Sequence, residues 1–131
     1  MNKIYIFKIN NTFSILNRYN EYNLYVYFSG LINTNEYDLI KAYNLFNSIT
    51  DNILDKEIGN IYMFNDDNYI VNNNIHYYND YLSNEKTKLI IHNKYMSIYS
   101  NKNKPTFLDN LSNIDNMFYI NFNSKEYGWL K

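Results

Sequence analysis

Residues 86 to 99 constrain this chain more than any other stretch, because two β-prone runs there are separated only by a short polar turn. Lys86 to Ile91 and Tyr95 to Tyr99 both read as strands, and a turn at Asn93-Lys94 folds them into a hairpin. In the register that buries the apolar set, Leu89 faces Ile98 and Ile91 faces Met96. Side chains on a strand alternate between faces, so the other side carries Lys88 across from Tyr99, His92 across from Tyr95, and Lys86 near Asn101.

The same reasoning extends along the chain. Lys3 to Ile9 reads as a strand, Asn10-Asn11 as a two-residue turn and Thr12 to Leu16 as the returning strand. Leu24, Val26 and Phe28 alternate with Tyr25 and Tyr27, a strand pattern that Ser29-Gly30 stops. From about Asn35 to Glu57 the period changes: Leu39, Ala42, Phe46, Ile49 and Ile53 recur at three- and four-residue steps, which predicts one long helix. Asn33 is its expected cap, with Glu36 at the third helical position and Gly59 as a left-handed terminator. Short strands are expected at 60–64, 69–71 and 75–78, broken by turns at Asp66 to Asn68 and Asn72 to Asn74. Behind Pro105, Phe107, Leu111 and Ile114 stand at helical spacing in a short helix over about 106–117. Phe118 to Phe122 reads as a last strand, and Tyr127 to Lys131 as a tail that docks its Trp. The expected class is therefore α+β: a single globular domain over 1–131, mainly an antiparallel sheet with helices on one face.

Composition decides what such a fold can carry. The chain holds 27 Asn, 16 Tyr and 17 Ile but one Arg and no Cys, a skew that follows A- and T-rich codons. It points to an AT-rich virus, plasmid or bacterium before it points to a function. The absence of Cys excludes a disulfide framework, thiol catalysis and Cys-ligated zinc. No run approaches the ~20 apolar residues of a membrane-spanning helix, so no membrane partner is expected and the setting is taken as cytoplasmic. Net charge is −1, yet residues 51 to 85 balance to −6 and residues 86 to 131 to +4, an asymmetry that can mark a contact surface.

Three candidate sites follow. Lys86, Lys88, His92, Lys94, Tyr95 and Tyr99, continued by Lys102 and Lys104, combine positive charge with aromatic faces as single-stranded nucleic-acid sites do. The plain alternative is the solvated outer face of an antiparallel sheet. Asp66, Asp67, Tyr77, Tyr78, Asp80 and Tyr81 form an acidic, Tyr-rich stretch suited to protein contact. His76 and Asp80 share a strand face but stand ~13 Å apart along it, too far for joint ligation, so no metal or cofactor is expected. A catalytic site would need His76 or His92 in a concave pocket with carboxylates or Tyr; no nucleophile motif or phosphate loop is present, and no catalytic residue is assigned. The leading expectation is a non-enzymatic protein-binding module, such as an immunity protein, a host-defence antagonist or an accessory subunit of a replication or transcription complex. A nucleic-acid-binding accessory protein using the Lys-Tyr stripe is the alternative, and a small His/Tyr/Asp enzyme the third.

Overall fold

The computed structural model describes residues 1–34, 38–62 and 66–131, the side chain of Asn60 excepted. In chain order these form β1 (Asn2–Lys8), α1 (Asn11–Leu16), α2 (Glu21–Ile32), α3 (Leu39–Ile49), α4 (Asp55–Ile58) and a 3-10 turn (Gly59–Ile61). Then come β2 (Tyr69–Asn72), β3 (Ile75–Asp80), β4 (Glu85–Ile91), β5 (Tyr95–Ser100), α5 (Phe107–Leu111), β6 (Met117–Asn121) and β7 (Glu126–Trp129). The strands make one antiparallel sheet in the order β2-β3-β4-β5-β1-β6-β7. The class is α+β, as the patterning predicts.

The β4-β5 hairpin has the expected register: Lys88 pairs with Tyr99, Leu89 with Ile98 and Ile91 with Met96, while the Lys86 backbone N–H reaches the Asn101 side chain. At the Asn72 to Asn74 break, Asn73 takes a left-handed φ of 56°, a conformation in which Asn is enriched.

Two expected strands are helices instead. Thr12 to Leu16 belongs to α1, because Asn10 does not turn the chain but caps a helix, its side chain accepting from the Phe13 N–H at 2.7 Å. Leu24 to Phe28 lies inside α2, where Leu24 and Phe28 are buried four residues apart and Val26 is exposed. Asn33 ends α2 rather than starting the next helix, its side chain donating to the Ser29 carbonyl.

The long helix expected over 35–57 is shorter and divided. It stops at Thr50, whose hydroxyl donates back to the Phe46 carbonyl at 2.6 Å and whose backbone bridges to Ile9. Gly59 is right-handed, with φ −55°, so it terminates nothing by a left-handed turn. Expected helix residues 35–37, Glu36 among them, and residues 63–64 of the expected strand at 60–64 lie outside the described residues. The C-terminal helix ends at Leu111 with Ser112 as its C-cap, Met117 belongs to β6, and the tail pairs as β7, with the Trp129 indole N–H donating to the Arg18 carbonyl at 3.1 Å.

Helices lie on both faces of the sheet, not on one. On the first face Ile4, Ile6, Leu89, Met96 and Ile98 pack against Ile61 and against Phe107 and Leu111 of α5. On the second, Phe7, Ile9, Phe118 and Ile120 pack against Leu24 and Phe28 of α2 and Ile49 of α3. The two covers differ in reach. The second-face cluster draws on β1, β6 and β7 but, among the described residues, takes only Tyr95 from β5 and nothing from β2, β3 or β4. Among the described residues no helix of that cluster covers this half of the second face.

Candidate nucleic-acid interface

The open half-face is built by register alone. Ile70 pairs with Tyr77, Tyr77 with Lys88, Lys88 with Tyr99 and Tyr99 with Lys3, so one row of side chains crosses β2, β3, β4, β5 and β1. Within that row tyrosine and lysine alternate as Tyr77, Lys88, Tyr99, Lys3. Neighbouring strands stand about 4.8 Å apart, which brings each ammonium over an adjacent ring. Lys88 Nζ lies 5.1 Å from the Tyr99 ring centroid, and Lys3 Nζ lies 5.3 Å from Tyr99 and 4.7 Å from Tyr5.

The charge on this surface is of one sign. The strand positions that share the face are Ile70, Asn72, Ile75, Tyr77, Asn79, Lys86, Lys88, Ile90, Ser97, Tyr99, Lys3 and Tyr5, and no carboxylate stands among them. Asp80 and Glu85, which pair with each other, alternate onto the opposite side. Among the described residues Lys3, Lys86 and Lys88 form no ion pair, whereas Lys8 is paired with Glu57 and Lys131 with Asp115. The Lys3 ammonium is held above its ordinary range chiefly by hydrogen bonding to Tyr5, with partial burial opposing and Tyr99 adding to the rise.

Of the stripe expected from sequence, Lys86, Lys88 and Tyr99 share this surface. His92 and Tyr95 stand four residues from Lys88 and Tyr99 along their strands, their rings stacked with centroids 4.4 Å apart, with Tyr95 packed into the aromatic cluster under α3. Burial, assisted by the Lys3 charge, keeps His92 below the usual imidazole range. Lys94 sits in the hairpin turn, its ammonium near the Thr50 carbonyl, and Lys102 and Lys104 lie past the opposite end of β5. The eight residues therefore divide among the middle and both ends of the hairpin.

The acidic, Tyr-rich stretch divides further. Tyr77 joins the open row, while Tyr78 turns to the opposite face and is buried against Phe107. Asp66 accepts from the Asn68 N–H and, with Asp67, forms the turn before β2; Asp80 accepts from the Leu82 N–H and the Ser83 hydroxyl in the turn before β4. Tyr81 projects fully into solvent. These six residues do not form one surface.

His76 is buried on the first face, 1% exposed, with its Nδ1 2.5 Å from the Tyr69 hydroxyl and Tyr62 edge-on to its ring. Burial holds the imidazole below its ordinary range and pushes the Tyr69 hydroxyl up to about 12, with a smaller contribution from Tyr62. Both groups are therefore neutral near pH 7, an arrangement that packs a core. Among the described residues no group of three His, Cys, Asp or Glu converges as metal ligands would.

Lys3, Tyr5 and Tyr77 are the residues of this face that the hairpin reading omits. Lys3 and Tyr5 share a side of β1 by simple alternation. What locates that side is the pairing of β1 with β5, a contact about a hundred residues apart in the chain.

Fold and face together define an α+β antiparallel-sheet protein with one half-face uncovered and cationic-aromatic. No protein-family model matches the chain, and no curated protein matches it. Among the described residues no helix is long and apolar enough to cross a membrane.

Proposed function

We propose that the chain is a non-enzymatic binding module that holds single-stranded nucleic acid on the uncovered half of its sheet. The observation that carries this reading is the Tyr77-Lys88-Tyr99-Lys3 row, in which cations and aromatic faces alternate across adjacent strands with no carboxylate among the described strand positions of that face. Phosphates are attracted to the ammoniums, and bases stack on rings without regard to their identity. Such a module fits an accessory role in replication or transcription in the cytoplasm of a host or bacterium with an AT-rich genome. The test is the affinity of the protein for an oligothymidylate, measured by fluorescence anisotropy between 50 and 200 mM salt. Binding that weakens with salt in the wild type and is lost in Lys88→Glu supports the reading. Absence of binding at 50 mM salt defeats it.

A second reading, a protein-binding module, is favoured by a separate observation. α2 and α3 expose Tyr22, Val26, Ile32, Leu39, Ile40 and Tyr43, more apolar surface than isolated exposed residues account for. On this reading Ile40→Glu abolishes capture of a partner that Lys88→Glu retains.

A further inference from the structure

The cationic row does not end at Lys3. One step along β1 stands Tyr5, which lies under the Lys3 ammonium and whose ring is 6.3 Å from that of Tyr95. Tyr5 and Tyr95 form one wall of an open cleft of about 360 Å³ between the sheet and α3, closed on the other side by Tyr43 and Phe46. The lining is mainly apolar and aromatic, in contrast to the lysine-bearing surface from which it opens. Tyr43, Phe46 and Tyr95 are shared with a second, more polar hollow that Asn47, Asn52 and Asn93 also line.

Resting on the proposed function, we infer that this cleft takes one unstacked nucleobase of a strand whose phosphates lie on Lys3 and Lys88. The chemistry of each part matches a different part of a nucleotide. A base splayed out of a single strand needs flat apolar walls, which the tyrosine and phenylalanine rings provide. Its polar edge needs donors and acceptors beyond those walls, and the asparagines of the adjoining hollow carry carboxamides that supply both from one side chain. Its phosphate needs a cation within a few ångströms of the wall, and Lys3 stands over Tyr5 itself. Electrostatics leads the strand to this end of the row, because the Lys3 ammonium stands over Tyr5, a ring of the cleft wall. The open row then holds backbone, and the cleft reads one base.

The experiment compares an eight-residue oligothymidylate with an abasic oligomer of the same length and charge. Wild-type protein is expected to prefer the base-bearing strand. Tyr43 comes from α3 and not from the row, and it is 67% exposed, so truncating it does not threaten the fold. Tyr43→Ala is expected to reduce the preference by roughly five- to 150-fold, the range for losing one stacked base, while Tyr43→Phe keeps it. A preference unchanged in Tyr43→Ala, with Lys88→Glu still weakening both oligomers, overturns the cleft and leaves the nucleic-acid reading standing. Failure of the wild type to bind either oligomer overturns both.

Discussion

Lys88 and Tyr99 face each other across β4 and β5 with the ammonium 5.1 Å from the ring centroid, and Lys3 approaches the same ring to 5.3 Å from β1. One tyrosine thus holds two cations that repel each other and have no carboxylate between them. Cation-ring contact at an exposed site is worth about 0.5–1 kcal/mol, too little to explain gathering like charges for stability. An anion arriving above Tyr99 removes the repulsion, so the arrangement gains most when it is occupied.

Each of these lysines is expected to answer to salt separately. On a single strand every neutralised phosphate contributes about −0.7 to the slope of log affinity against log salt. Lys3→Met and Lys88→Met should each make the slope shallower by about 0.7, and the double variant by about 1.4. Equal slopes for wild type and double variant would remove both residues from the interface.

His76 gives acid sensitivity of a defined sign. Burial lowers its folded-state pKa, so between the unfolded value of about 6.5 and that lowered value the unfolded chain binds more protons than the folded one. Its stabilising contribution is complete above about pH 6.5 and is lost as pH falls toward the folded value, at no more than about 1.4 kcal/mol per pH unit. His92, lowered by burial and Lys3, adds in the same direction. Urea melts at pH 7 and pH 5 should show a smaller loss in His76→Gln than in wild type, and identical losses would contradict this account.

Phe107 joins α5 to the far strands of the sheet, its ring 6.4 Å from both Tyr69 and Tyr78 and 0% exposed. Phe107→Ala should cost about 3–5 kcal/mol of unfolding free energy. Ile40→Ala, at a site 80% exposed, should change it by less than about 0.5 kcal/mol. Chemical denaturation of the two variants side by side checks the contrast.

Glu85 is a carboxylate 4% exposed that accepts from the Thr87 hydroxyl at 2.6 Å and from both the N–H and the hydroxyl of Thr106, just before α5. Glu85→Ala removes the acceptor shared by these donors, leaving Thr87 only the Ser100 hydroxyl, and should cost about 1–3 kcal/mol. Faster hydrogen exchange at the α5 amides than at β1 would locate the damage. Uniform exchange across both would argue that Glu85 does not hold α5 in particular.

The hairpin of β4 and β5 was legible residue by residue because its apolar and polar sets are distinct and its turn is short, so only one register buries Leu89, Ile91, Met96 and Ile98 together. α2 was not, because Leu24, Val26 and Phe28 satisfy a period of two as well as Leu24, Phe28 and Leu31 satisfy a helix. Asn did not resolve such ambiguities. Asn72 to Asn74 turns one chain segment back on another, whereas Asn10-Asn11 opens a helix, and the difference lies in the residues that follow rather than in the Asn pair. The division of α3 from α4 at Thr50 depends on a bridge to Ile9, some forty residues away, and no local window contains it. The candidate face was half visible for the same reason: Lys88 and Tyr99 are neighbours through a short turn, but Lys3 joins them only through tertiary pairing.

The position of β1 between β5 and β6 also sets the order in which the molecule can be made. β2 to β5 form a meander, and β6 with β7 form a hairpin, each assembled from neighbours in sequence. Within the sheet, among the described residues, β1 is the strand that joins them, and Asn2 meets the Lys102 carbonyl 100 residues away. During synthesis the first strand therefore waits, with Ile4 and Ile6 on one side and Phe7 on the other, until two later blocks exist to receive it. Contacts of such sequence separation slow folding, so this chain should fold late and all at once, with Ile4, Ile6 and Phe7 exposed to chaperones or to aggregation in the interval.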